Sequence, residues 1–319
     1  MKALRVESGK LRLAELSIPA AADEALIRVT RSGICNTDLE IVRGYAGFEG
    51  TIGHEFVGVV ERADGFPEMV GKRVVGEINV GCGECELCRK DDPRHCPSRT
   101  VLGIKGRDGA HAEFLNLPAR NLIEVPDLIS DEQAVFTEPL AAAFGITEQV
   151  KIENATNIAV IGDGKLGLLC AMTLRLRSNN VTLFGRHASK LAIAEKRGIE
   201  GVVDVGASDM NRRFDVVVEA SGSETGFARA LDLVKTRGKI VLKSTFHGKP
   251  QWEAWRVVVD EITIVGSRCG RFKPAIDLLA EGKLDVTDMI SEEFRLDDGV
   301  KAMAAAAEKG ILKVLLSMG

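Results

Sequence analysis

From residue 157 onward, short β-branched runs alternate with helix-forming stretches, and that alternation leaves few folds open to the chain. NIAVIG (157–162), VTLFG (181–185), GVVDV (201–205), FDVVVEA (214–220), GKIVLKS (238–244) and EITIVGS (261–267) read as strands. KLGLLCAMTLRLR (165–177) and ASKLAIAEKRG (188–198) read as helices between them. Strands and helices in turn build a parallel sheet covered by helices on both faces. Where the first strand meets the first helix stands GDGKLG, with Gly162, Gly164 and Gly167 in the pattern G-x-G-x-x-G and Lys165 and Leu166 inside it. Gly162 permits the tight turn, Gly164 lets the backbone approach a pyrophosphate, and Gly167 lets helix and strand pack closely. The helix N-terminus then attracts the phosphates of a dinucleotide.

An acidic residue normally follows about 20 residues on, at the end of the second strand, where it binds the ribose hydroxyls. Here Gly185 ends that strand, and Arg186 and His187 follow it. Loss of the carboxylate removes its repulsion of a 2′-phosphate, and the planar Arg186 cation pairs with phosphate or stacks on adenine. The expected cofactor is therefore NADP, with NAD as the alternative. Lys313, in the C-terminal run ILKVLLSM (311–318), joins the cofactor-binding candidates.

Residues 1 to 125 have a different texture. ALIRV (25–29), EFVGVVE (55–61) and KRVVGEI (72–78) are short apolar runs broken by Gly and Pro, a mainly β region. DEQAVFTEPLAAAFGITEQV (131–150) has helical spacing, with Asp131 placed to cap its start. A chain of 319 residues is expected to split into two domains. Its net charge of −4 points to no nucleic acid and no membrane surface as partner. The opening MKALRVESGKLRL lacks the apolar core of a signal peptide, and no run approaches the ~18 apolar residues of a membrane span. A cytoplasmic setting is expected.

In a reducing compartment disulfides are rare, and closely spaced cysteines read as metal ligands. GCGECELCRKDDPRHCP (81–97) holds Cys82, Cys85, Cys88 and Cys96 with the spacing C-x2-C-x2-C-x7-C. Four thiolates around zinc leave no open position, so such a site is structural. An iron–sulfur cluster is the weaker alternative, because the spacing only partly matches known cluster patterns. His95 reads as a surface histidine. A catalytic metal needs other ligands, and Cys35 in GICNTDLE (33–40) and His54 in GHEF (53–56) supply sulfur and imidazole, which suit zinc. Asp38 is placed to receive the other ring N–H of His54. Glu138 in FTEPLA (136–141), or Glu55 beside the histidine, offers a further ligand. Taken singly, Cys35 also reads as a small buried apolar residue, His54 as a core histidine and Glu138 as a helix-surface charge.

In the order GICNTDLE, GHEFVGVV, the four-cysteine loop, GAHAEFLNLP, TEPLA, VIGDGKLG and DVVVEASG, the chain resembles the zinc-dependent medium-chain alcohol/polyol dehydrogenases. The match runs through nearly the whole chain. The resemblance implies an α/β fold: a GroES-like β-rich catalytic domain (1–142), a Rossmann domain with a doubly wound parallel sheet (143–268) and a C-terminal segment (269–319) that returns to the catalytic domain. It implies that Cys35 and His54 are catalytic zinc ligands and that Glu138 is the acid near or on the metal in the polyol branch. Glu55 is then the alternate ligand, and Thr37 the hydroxyl that hands the substrate proton onward. Cys82, Cys85, Cys88 and Cys96 match the structural zinc lobe. In one departure, Glu40 occupies the place where members often carry His as the outer end of the proton relay.

The activity implied is interconversion of an alcohol or polyol with its aldehyde or ketone, by hydride transfer to NAD(P). The substrate is a small molecule, and a homodimer or homotetramer is expected, with VVVDEITIVGS (257–267) at a subunit boundary. Tyr45, Phe48, Trp252 and Trp255 read as core or interface rather than pocket lining. A zinc-free quinone reductase of the same superfamily is the alternative, and such relatives generally lack the Cys and His ligands retained here. A non-enzymatic zinc-stabilised binding module is disfavoured by the Gly-rich turn and the acidic charge.

Overall fold

The alternation of charged and apolar residues at the start folds as a hairpin. Lys2–Glu7 pairs antiparallel with Lys10–Glu15, and Ser8 and Gly9, at φ 49° and 70°, form the tight turn whose twist matches the strands. The computed structural model describes residues 1–20, 23–204, 210–245 and 252–319. It divides the chain into two compact units, one made of Met1–Glu138 with Phe272–Gly319 and the other of Pro139–Arg271.

The main sheet of the first unit runs in the order Leu122–Glu124, Arg73–Gly76, Glu55–Arg62, Ala25–Gly33, Lys313–Ser317 and Ile290–Arg295. Phe114–Leu117 also pairs with Ala25–Gly33. Neighbours are antiparallel except the last two strands, which are parallel. The C-terminal strand thus lies against Ala25–Gly33, with Leu315 opposite Gly33. Leu4, Ile34, Ile41, Ile52, Val314 and Leu316 make a buried cluster, and Tyr45 and Phe48 pack on it as partly buried core. The four-cysteine loop is held at its base by the antiparallel pair Asn79–Val80 and Thr100–Val101.

The second unit is a six-stranded sheet, parallel throughout, in the order Glu200–Val203, Val181–Gly185, Ile158–Ile161, Phe214–Glu219, Val234–Leu242 and Thr263–Gly266. Ile158–Ile161 is buried at every position, as a strand covered on both faces must be. The order reverses at this strand, and open α/β sheets bind ligands at such a switch point. The unit is the doubly wound Rossmann type, and with the β-rich unit it makes the mixed α/β class expected. Val205, in the run read as the third strand, lies outside the described residues. Trp255, Val258 and Val259 are exposed, and the ring of Trp252 meets that of Phe227 edge-on. Among the described residues no helix is long and apolar enough to cross a membrane.

Two local expectations are corrected. The helix read over 131–150 is two helices, Asp131–Ala134 and Thr137–Gln149. Pro139 has no N–H for the Val135 carbonyl, so the ladder lapses there, while in the first turn of the second helix the same lack costs nothing. The cap is Ser130 and not Asp131. Ser130 Oγ accepts from Gln133 N at 3.3 Å, and the Gln133 side chain accepts from Ser130 N at 3.0 Å, which satisfies two otherwise orphaned amides. Ser130→Ala should therefore lower stability by about 1 kcal/mol. The measurement is the urea midpoint at unchanged slope, and an unmoved midpoint would show that the cap contributes nothing.

Candidate active site

Cys35 follows the strand Ala25–Gly33 and is the N-cap of the helix Asn36–Val42. Asp38, three residues on, folds back so that Oδ2 accepts from Cys35 N at 2.8 Å and Oδ1 accepts from Gly53 N at 3.1 Å. The same carboxylate lies 3.4 Å from His54 Nδ1 and 3.5 Å from His111 Nε2. These are charge contacts rather than well-formed hydrogen bonds, and neither ring nitrogen has a hydrogen-bond partner. His111 is held from its other side by Ser32 Oγ, 2.8 Å from Nδ1. Burial opposes the charge on Asp38, yet the two histidines hold its carboxyl well below the usual carboxylate range. Burial also disfavours a charged His54, and Asp38 and Cys35 together outweigh it and raise the ring's pKa.

The ligand atoms of Cys35, His54 and Glu55 lie within 4.8 Å of one another. Sulfur, imidazole nitrogen and carboxylate oxygen are a zinc donor set. Glu55 Oε1 is buried without a hydrogen-bond partner, and an orphaned acceptor beside a thiol and an imidazole fits a divalent ion. Glu55 Oε2 accepts from Lys313 Nζ in a buried ion pair. Gly33 makes the room for it, since a Cβ there would lie 2.6 Å from Glu55 Oε2 and 2.7 Å from Val135 Cγ1.

Lys313, a cofactor-binding candidate by sequence, is thus placed beside this cluster, with its amine 5.4 Å from the centre of the Phe136 ring. Burial pulls its pKa down, but Glu55, Cys35 and Glu138 leave it raised. Glu138 is half-buried in the first turn of Thr137–Gln149 and is not one of the three converging ligands. Thr37 Oγ1 lies 3.7 Å from Cys35 Sγ. Glu40 is occupied by Arg43, 2.6 Å away.

The sulfurs of Cys82, Cys85, Cys88 and Cys96 form a second converging group within 4.8 Å. Backbone amides serve as donors here: Cys82 N faces Cys96 Sγ at 3.4 Å and Cys88 N faces Cys85 Sγ at 3.5 Å. The backbone N–H groups of Glu84 and Cys85 draw the Cys82 thiol down to about 6, while desolvation pushes Cys88 up to about 11. Gly81 is required for closure, because a Cβ there would lie 2.6 Å from Cys88 Sγ. His95 is exposed and outside the group. Four sulfurs closing on one point fit a tetrahedral zinc.

In the second unit, Gly162 has φ +112°, and a Cβ on it would meet Ala220 O at 2.6 Å. A Cβ on Gly167 would collide with the Gly162 carbonyl, whereas Gly164 faces open space. Two glycines are thus spent on packing and one on an open approach to backbone N–H groups, which fits a pyrophosphate. Lys165 and Leu166 are half-buried in the first turn of the helix Lys165–Arg175. Gly185 ends its strand, Arg186 is exposed, and His187 caps Ala188–Glu195.

Sequence reasoning missed two residues. His111 is visible there only as the histidine of GAHAEF, and Asp163 only as a variable position in GDGKLG. Asp163 Oδ2 accepts from the backbone N of Arg186 and of His187, each at 2.7 Å.

Two family models fall on the chain: the alcohol dehydrogenase GroES-like domain over residues 21–127 and the zinc-binding dehydrogenase model over residues 166–281. An L-threonine 3-dehydrogenase of Deinococcus deserti is 30% identical over 346 residues, covering 99% of this chain and 98% of that protein. A sorbitol dehydrogenase of Halalkalibacterium halodurans is 28% identical, covering 91% and 90%. The crystal structure of a zinc-binding dehydrogenase from Sinorhizobium meliloti, bound to NADP, is similar with a TM-score of 0.90 at 29% identity, covering 99% of this chain and 98% of that one. With a GroES-like first unit, a parallel dinucleotide-type sheet and full-length kinship of this degree, the chain belongs to the zinc-binding alcohol dehydrogenases of the medium-chain dehydrogenase/reductase superfamily and is an oxidoreductase.

Proposed function

We propose that this enzyme interconverts an alcohol or polyol with its aldehyde or ketone, using a nicotinamide dinucleotide and favouring NADP. The observation that carries the reading is the convergence of Cys35, His54 and Glu55 in front of the buried Asp38. When bound, zinc supplies the Lewis acidity that lowers the pKa of a substrate hydroxyl, and the nicotinamide takes up the hydride. Cys35 and His54 would hold the ion, and Asp38 orients the imidazole from behind. Thr37, beside Cys35, would take up the hydroxyl proton while passing its own onward to solvent. Glu40, at the place where members of the family often carry the outer histidine of the relay, is paired with Arg43.

Glu55, whose oxygen converges with Cys35 and His54, or Glu138, whose charge reaches the same Lys313 amine, would supply the third ligand. The four-cysteine lobe holds a second zinc whose work is stability. Gly162, Gly164 and Gly167 cradle the pyrophosphate, and Arg186 meets the 2′-phosphate. The polyol class is supported by the sorbitol dehydrogenase among the relatives, and NADP by the relative that bound it. The retained Cys35–His54 pair supports this reading over a zinc-free quinone reductase.

Residues 1–142 with 269–319 serve catalysis in this reading, and 143–268 serve the nucleotide. The edge strand Thr263–Gly266, with exposed Trp255, Val258 and Val259 nearby in the chain, supports a homodimer or homotetramer. Closely spaced cysteines that gather as a metal-binding group support a cytoplasmic setting.

Elemental analysis should find two zinc ions per chain. Cys85→Ser should lose one of them together with thermal stability. Cys35→Ser should lose the other and most turnover, yet stay folded and bind nucleotide. One zinc in the native protein, unchanged by Cys35→Ser, would remove the catalytic site from this reading.

Glu138→Ala should lower both kcat/KM and zinc retention on dialysis, since the metal would lose a charged oxygen ligand. Full zinc at full rate in that variant would leave Glu138 a charge on a helix surface.

Activity is tested by kcat/KM over a panel of alcohols, polyols and sugars with each cofactor. A charge-assisted contact from Arg186 is worth about 1.5–3 kcal/mol, so Arg186→Ala should cut the NADP preference roughly ten- to a hundred-fold. A native preference for NAD, or no change in the variant, would show that the arginine is incidental.

A further inference from the structure

The end of the second Rossmann strand lacks the expected carboxylate, yet a carboxylate is there. It comes from Asp163, in the Gly-rich turn. Asp163 is 8% exposed, and its Oδ2 accepts from Arg186 N at 2.7 Å and from His187 N at 2.7 Å, with His187 Nδ1 3.0 Å away. Gly185 is its steric complement, since a Cβ there would lie 2.6 Å from the Asp163 Cβ and 2.7 Å from Oδ2. The missing side chain at 185 and the acid at 163 are therefore one arrangement.

We propose that Asp163 is a positioning residue for cofactor choice: it fixes the Arg186–His187 turn by its backbone amides, so that Arg186 is presented to the 2′-phosphate of NADP. The inference rests on the NADP reading and deepens it. An acid at the strand end with its oxygens facing the ribose would bind hydroxyls and repel phosphate. Asp163 Oδ2 instead points into the turn, where two backbone N–H dipoles and an imidazole meet its charge. Desolvation opposes ionisation of Asp163, but the donors from His187 and Arg186 hold its pKa below the ordinary carboxylate value, so the anion persists at neutral pH. Arg186 is exposed and its long side chain has many rotamers, and fixing its backbone removes part of the ordering cost of binding.

The test is calorimetric binding of 2′,5′-ADP and of 5′-AMP to the zinc-loaded protein, which needs no turnover. Wild type should bind 2′,5′-ADP more tightly than 5′-AMP. Asp163→Ala should reduce that ratio by about tenfold, as expected when Arg186 no longer makes one charge-assisted hydrogen bond to the phosphate, with 5′-AMP affinity nearly unchanged. Asp163→Asn keeps an oxygen to accept an amide N–H and should recover most of the ratio. It also keeps the side-chain volume, so it reports even where the alanine variant folds poorly. A wild-type ratio at or below one overturns the NADP reading and this inference with it. A wild-type preference that survives in Asp163→Ala, or a loss shared equally by both ligands, overturns the inference alone.

Discussion

The first unit depends on one buried charge. Asp38 is fully buried, and an isolated carboxylate in that position costs several kcal/mol of desolvation. It is tolerated because the N–H of Cys35, the N–H of Gly53 and the rings of His54 and His111 all converge on it. Those four groups come from three separate segments, so the segments have little freedom once Asp38 is ionised. Gly53 shows how tight the arrangement is, for its φ is +97° and a Cβ would lie 2.5 Å from His111 Nδ1. Cys35 and His54, the proposed metal ligands, are each held by Asp38, one at its backbone N–H and the other at its ring.

A second buried charge ties the C-terminal strand to the same place. Lys313 pairs with Glu55 across 258 positions of sequence, and each is about 1% exposed. Removing one partner of such a pair strands the other and costs about 3–5 kcal/mol. The pairing therefore restricts where the chain's last strand can lie against Ala25–Gly33, because another register would leave one of the two charges buried alone.

The architecture is legible in the sequence because it rests on periodicity. Six β runs with helices between them predict the parallel sheet, and the glycine spacing of GDGKLG marks its switch point. The cysteine loop is legible because its four sulfurs are close in sequence. Partners far apart in sequence leave no such trace. His111 is 73 residues past Asp38 by number and reads in isolation as one histidine in a loop. Lys313 reads as a cofactor residue because a lysine in a terminal strand does not disclose that it will be buried against a glutamate. The misplaced cap has another cause, since Ser130 and Asp131 are both good cap residues and only the bonds to Gln133 distinguish them. Gly185 reads as an acid removed, whereas the side chain of Asp163 fills that space.

Asp38 and Asp163 are the same device used twice. Each is a short carboxylate that accepts backbone N–H bonds from a segment other than its own: Gly53 for Asp38, Arg186 and His187 for Asp163. Backbone amides of irregular segments have no ladder to satisfy them, so a charged acceptor is well matched, at about 1.5–3 kcal/mol per bond. Aspartate suits the task better than glutamate because it has one fewer torsion to order. In both cases the amides belong to, or lie next to, the residues proposed to meet metal or phosphate. The side chains of Cys35 and Arg186 are thus left to face a ligand, while an aspartate holds the backbone N–H behind each of them.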